Sequence, residues 1–91
     1  MTRIIIRQIV WDEYNKEHIK GHNVTIEEVE YVIKHFITHK KAKKGRYILI
    51  GRKETRLLSV IIERKRPAVY YVVTARDAAR KERSRVYEKE K

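Results

Sequence analysis

Apolar residues change their spacing several times along this chain, and each change marks an element. Ile4, Ile5, Ile6, Ile9 and Val10 are β-branched and nearly contiguous, which predicts a strand over Arg3–Val10. Trp11 closes it. Asp12 suits the N-cap of a short helix reaching Lys20, with Glu13 in the first turn, where the helix dipole favours a carboxylate. Gly21-His22-Asn23 interrupts that helix, and Asn23 is a residue type that accepts the left-handed conformation. Thr25 and Glu28 have the spacing of a capping box. Ile26, Val29, Val32, Ile33, Phe36 and Ile37 then recur at helical spacing on one face, so a second helix is expected to end near His39.

Lys40, Lys41, Lys43 and Lys44 read as a basic loop that stops at Gly45. Beyond it, three strands are predicted over Arg46–Arg52, Arg56–Arg64 and Ala68–Ala75. The connections Lys53-Glu54-Thr55 and Lys65-Arg66-Pro67 are short enough to make them an antiparallel meander. Alternation places Leu58, Val60 and Ile62 against the helices, and Leu57, Ser59, Ile61 and Glu63 on the opposite face. Tyr70 and Val72 join the core, which puts Tyr71, Val73 and Ala75 on the Glu63 side. Alternation alone leaves open which way Arg46, Ile48, Ile50 and Arg52 point. The last segment, Arg76–Glu90, is built of helix formers. Only Ala78, Ala79, Val86 and Tyr87 could face a core, which predicts a weakly anchored helix. The expected fold class is α+β: a small antiparallel sheet with two helices on one face, in the order β-α-α-β-β-β-α, as a single domain over residues 1–91.

Charge changes this picture most. The net charge is +11, and it is not spread evenly: residues 1–39 carry −1 and residues 40–91 carry +12. Lysine added for solubility alone has no reason to collect in one half, so the asymmetry points to a polyanionic partner. The chain has no cysteine, which excludes a disulfide framework, thiolate metal sites and a cysteine nucleophile. No apolar run approaches a membrane span and no secretory leader is evident, so a cytoplasmic protein with no membrane partner is expected.

Three constellations bear on chemistry. Arg76, Arg80, Arg83 and Tyr87 fall at helical spacing and would form one stripe suited to phosphate oxygens, or a solvated basic face. Glu63 on the non-helix face beside Tyr71 is either a general base or half of a structural ion pair. His18 and His22, and then His35 and His39, have the spacing of zinc ligands on a helix, but each pair lacks a third ligand; no metal or other cofactor is expected. His22 stays open as a proton carrier. With three glycines there is no phosphate-binding loop, and the basic half has no carboxylate cluster for magnesium. A phosphodiesterase of this composition is expected to act without metal. Its substrate is then RNA, whose 2′-hydroxyl is an internal nucleophile.

Several segments resemble BrnT-like proteins. They are Trp11-Asp12-Glu13-Tyr14-Asn15, Glu17-His18-Ile19, His22, Val24-Thr25, Glu27-Glu28-Val29-Glu30, Arg46-Tyr47, Gly51-Arg52, Leu57-Leu58, Glu63-Arg64, Thr74-Ala75-Arg76, Glu82-Arg83 and Tyr87. The resemblance runs in order from Trp11 to Tyr87. Asn23 stands where the family usually has glycine, and Ala79 where it usually has threonine. The resemblance implies a RelE-like fold and a metal-independent endoribonuclease. It also implies the toxin of a type II toxin–antitoxin pair, acting on mRNA, free or at the ribosome, and neutralised by a BrnA-like DNA-binding antitoxin. It supports Arg52, Glu63, Arg76, Glu82, Arg83 and Tyr87 as functional positions; Arg80 joins them through helix spacing. The candidate catalytic set is therefore Arg52, Glu63, Arg76, Arg80, Arg83, Tyr87 and His22. The candidate RNA-docking set is Lys40, Lys41, Lys43, Lys44, Arg46, Arg56 and Tyr71. Two other classes fit the same surface: a non-catalytic RNA-binding module, and an inactive toxin relative that only binds an antitoxin-like partner.

Overall fold

The computed structural model describes residues 4–90, so Arg3, the expected start of the first strand, lies outside the described residues. In chain order the elements are β1 (Gln8–Val10), α1 (Glu13–Gly21), α2 (Ile26–Lys34), β2 (Thr38–Lys41), β3 (Arg46–Lys53), β4 (Arg56–Arg66), β5 (Val69–Asp77) and α3 (Arg80–Glu90). The strands form one sheet in the order β1-β5-β4-β3-β2. β1 runs parallel to β5 and the remaining neighbours are antiparallel. The α+β class with two helices on one face holds. The sheet is mixed rather than wholly antiparallel, and one strand larger than expected.

Both early helices begin as their sequences dictate. Asp12 Oδ1 accepts from the Asn15 N–H at 2.9 Å, and Asn15 Oδ1 accepts from the Asp12 N–H at 2.8 Å. The buried Asn15 amide also donates to the carbonyls of Val10 and Val72, which ties α1 to β1 and β5. Thr25 and Glu28 make the second, reciprocal box. Asn23 between the helices is left-handed, at φ 59°.

The main core lies between α1, α2 and one sheet face. Ile19, Val29, Val32, Leu49, Leu58, Val60, Ile62 and Val72 are its buried centre. Gly51 sits under α2: an added Cβ would lie 3.1 Å from Val32 Cγ1 and 3.3 Å from Phe36 Cα, so the absent side chain lets the helix end dock closely. β3 thus turns Leu49 and Gly51 toward the helices and Arg46, Ile48, Ile50 and Arg52 toward the other face, the point alternation left open.

Four features differ from the sequence reading. β1 is only three residues long because its partner β5 starts at Val69; Ile4 and Ile6 instead pack against the core edge. α2 stops at Lys34 with His35 as C-cap, because Ile37 already donates to the Ile50 carbonyl at 2.8 Å. Lys40 and Lys41 therefore belong to the edge strand β2, and only Lys43 and Lys44 are in the turn that follows. A lysine-rich edge is one that resists further pairing.

The fourth difference shapes the site. Val60 pairs with Ala75 and Ile61 with Thr74, but Ile62 pairs with Val72, so Val73 is an extra residue in β5. Before this bulge Tyr71 shares a face with Glu63, as expected. After it, Ala75 lies in the helix-side core rather than on the Glu63 side, and Arg76 stands beside Ser59 on the opposite face. A one-residue slip exchanges the two faces of everything beyond it.

Candidate nucleic-acid interface

α3 lies across the sheet face opposite α1 and α2. Its hydrophobic contact is thin: Val86 packs with Ile50, Leu57 and Ala78, flanked by Ile37 and Ile48. Polar contacts do the rest. Arg76 grips Glu82 with a two-pronged fork, Nη1 to Oε1 at 2.7 Å and Nη2 to Oε2 at 3.0 Å. The same Oε1 accepts from the buried Ser59 hydroxyl at 2.8 Å and from the Ala79 N–H at 2.7 Å. Four donors converge on one carboxylate at the first turn of α3. The Arg76 guanidinium is the main reason that Glu82 is held down to about 2, and the bonds from Ala79 and Ser59 add to it against the opposing effect of burial. Glu82 is thus fixed as an anion and cannot serve as a base near neutrality.

The predicted stripe of Arg76, Arg80, Arg83 and Tyr87 does not exist as one row. Arg76 belongs to β5, and α3 begins only at Arg80. The three helical residues divide between two cavities. On one flank an opening of about 410 Å³ has Ile48 and Ile50 among its apolar lining and Lys40, Arg80, Lys81 and Arg85 as its cations, with Glu82 beside them. On the other flank, an opening of about 260 Å³ gathers Arg52, Arg56, Arg83 and Tyr87 with Asp77. Arg85 also donates to the His39 carbonyl at 3.4 Å, pinning α3 to the edge strand.

The remaining predicted residues sort by whether their charge is already engaged. Glu63 is held by Lys65 at 2.6 Å and Arg46 at 2.9 Å, which lower its pKa, Lys65 most. The ion-pair alternative for Glu63 is the one seen, and it takes Arg46 out of the free cations. Strand spacing puts Glu63 about 13 Å along β4 from Ser59, and so well away from Arg76. Arg56 is also occupied. It binds Asp77 at 2.8 Å and Glu28 at 3.2 Å, and donates to the Asn23 carbonyl. Arg52 pairs with Glu90 at 2.9 Å. Tyr71 donates its hydroxyl to Asp12 at 3.1 Å, and Lys65 lies over its ring.

His22 caps α1 and stacks on His18 with ring centroids 5.5 Å apart, and its carbonyl accepts from Arg56 at 3.5 Å. His35 and His39 do not share a helix: one is the C-cap of α2 and packs on Tyr31, the other lies in β2 and packs edge-on to Phe36. The guanidinium of Arg80 makes no ion pair or hydrogen bond among the described residues. Arg83 exerts only a longer-range pull on Asp77. Sequence reading missed Ser59, Lys81 and Arg85 as parts of this face. A serine between Leu57 and Ile61 on a strand face is the one signal that could have marked Ser59 as a partner to something polar.

No helix of the described chain is long and apolar enough to cross a membrane. No protein-family model matches the sequence, and no curated protein matches it. Among solved structures the chain is similar to the ribonuclease toxin BrnT of Brucella abortus, with a TM-score of 0.62 and 22% identity over 80% of this chain and 97% of that one. The bulged sheet carrying two helices on one face and a cation-rich helix on the other is therefore a BrnT-like fold.

Proposed function

We propose that this chain is a metal-independent endoribonuclease of the BrnT kind, the toxin of a type II toxin–antitoxin pair. The observation that carries the reading is the α3 groove: an apolar floor at Ile48 and Ile50 inside a rim of Lys40, Arg80, Lys81 and Arg85. Single-stranded RNA supplies both an apolar base for the floor and phosphates for the rim. The similarity to a solved ribonuclease toxin supports the same reading.

In the proposed reaction the 2′-hydroxyl attacks the adjacent phosphorus. The 2′-O–P bond forms, the P–O5′ bond breaks, and a proton passes to the leaving oxygen. Charge builds on the two non-bridging oxygens in the transition state. Arg80, which lines this groove and makes no ion pair among the described residues, would stabilise that charge. Arg76, tied into Glu82, would hold the start of α3 so that Arg80 is presented in a fixed position. Glu63 is held by single contacts from Lys65 and Arg46 rather than by a fork. A phosphate that draws off the half-exposed Lys65 would free its Oε2 and let its pKa rise toward the ordinary range, making it a usable proton acceptor. A DNA-binding antitoxin resembling BrnA would silence the protein by covering this basic face in the cytoplasm.

The test is incubation of the purified protein with total RNA in excess EDTA, alone and with translating ribosomes, alongside Arg80→Ala. The expected result is cleavage that survives EDTA and leaves cyclic-phosphate ends. It should fall about a hundredfold in Arg80→Ala while RNA binding falls far less. RNA that is bound but left intact under both conditions would replace the enzyme with a binding module.

A further inference from the structure

A third cavity has no α3 residue in its lining. It has a volume of about 520 Å³, within the roughly 300–1,000 Å³ range of small-molecule sites. It opens where the helix-side sheet face runs beyond the helices. Tyr47 and Tyr70 lean together over the intervening strand β4, with ring centroids 6.1 Å apart at 70°. Arg64, opposite Tyr70 in the ladder, completes the base of the cavity. Arg7 closes one side, held by its backbone bond to the Ala68 carbonyl at 2.8 Å. Ile5, 57% exposed, and Pro67 supply apolar walls.

Two observations separate this cavity from those beside α3. Its lining contains two guanidiniums and no carboxylate, whereas Glu82 and Asp77 stand in the walls of the other two. Arg46, Arg52, Arg56 and Arg76 all have acidic partners, but Arg7 and Arg64 have none among the described residues. The second observation concerns hydroxyls. Neither the Tyr47 nor the Tyr70 phenol has a hydrogen-bond partner among the described residues, although Tyr70 is 5% exposed. Burial raises the pKa of Tyr70, so its hydroxyl keeps its proton and remains a donor.

We infer that this cavity binds a nucleoside phosphate, the phosphate between Arg7 and Arg64 with the tyrosine hydroxyls donating to it, and the base against Ile5 and Pro67. Arginine and phenol donors around an apolar wall match an anion that carries a flat ring, and they match a simple inorganic anion poorly. The ligand is either a free mononucleotide or a terminal nucleotide of an RNA strand. The inference stands independently of RNA cleavage at α3.

The experiment is calorimetric titration with 5′-AMP, ribose 5-phosphate and inorganic phosphate, and a fluorescence titration with a short 5′-phosphorylated oligoribonucleotide. The proteins are the unmodified chain, Arg7→Ala, Arg64→Ala and Tyr47→Phe, with Lys20→Ala as the control outside this cavity and the α3 groove. All five are first shown by circular dichroism to be folded. AMP is expected to bind about tenfold more tightly than either of the smaller phosphates, the difference being the base. Arg7→Ala and Arg64→Ala should each weaken it about tenfold, and Lys20→Ala should leave it unchanged. If AMP fails to bind but the oligoribonucleotide shows the same loss in Arg7→Ala and Arg64→Ala, the source of the nucleotide is the RNA end. The inference is overturned if inorganic phosphate binds as tightly as AMP, or if the two arginine variants alter neither titration.

Discussion

The two faces of the sheet are held by opposite means. On the α1 and α2 side, buried aliphatic side chains from two helices and three strands interlock, and polar groups such as Asn15 serve only to stitch elements together. On the α3 side, a handful of apolar contacts is supplemented by one carboxylate that four donors surround. The first arrangement draws on burial, which is non-directional and indifferent to pH. The second draws on charge and direction, and so fixes a helix of almost wholly polar composition in one place without covering the sheet face beneath it. An interface for a polyanion needs that second arrangement, because a thick apolar seal would leave no groove.

The comparison can be broken first by truncation. Leu49→Ala on the sealed side should cost about 2–5 kcal/mol, measured by urea unfolding, whereas Val86→Ala on the α3 side should cost only about 1–2 kcal/mol. Equal losses would mean that α3 is as deeply integrated as the other helices. Next comes the charged clamp. Glu82→Gln keeps the side chain's shape but removes its charge, and should cost about 1–3 kcal/mol.

The clamp also has a pH signature with a definite sign. Glu82 is lowered in the folded protein from 4.5 to about 2, so its contribution is fully present above 4.5 and drains away as pH falls from there toward about 2. Acid unfolding of Glu82→Gln should lack that part of the slope, and an unchanged acid profile would show that the fork contributes nothing net. Smallest of all is Glu90→Gln. The Arg52–Glu90 pair joins side chains that are 33% and 40% exposed, so its loss should stay within about 1 kcal/mol and vanish at high salt.

Much of this architecture was legible in the sequence. Thr25 and Glu28, Asn23, and the alternation through Leu58, Val60 and Ile62 each described a local preference that the packed chain also satisfies. The failures share one physical origin, which is that they depend on a partner distant in the chain. Phe36 and Ile37 keep the helical period of α2, yet the Ile50 carbonyl captures Ile37 at the entry to an edge strand. Ala75 has nothing in its own neighbourhood to mark the bulge that turns it inward.

The site follows the same rule. Composition named the cations, but it could not show that Glu63, Asp77 and Glu82 already engage Arg46, Arg56 and Arg76 while Arg80 has no ion-pair partner among the described residues. Arg7 and Arg64 went unnoticed because they meet only through the parallel docking of β1 on β5.

The extra residue at Val73 makes this chain tolerant of a kind of genetic change that its composition would never reveal. Loss of that single codon in frame would leave charge and hydropathy nearly untouched. It would also leave Ile61 opposite Thr74, Val60 opposite Ala75 and Ser59 opposite Arg76, so that Ala75 keeps its place in the aliphatic layer and Arg76 stays beside Ser59 and Glu82. For this segment, place in the ladder matters more than place in the chain: at Val73, β5 carries one residue that the pairing of its partner strand does not use.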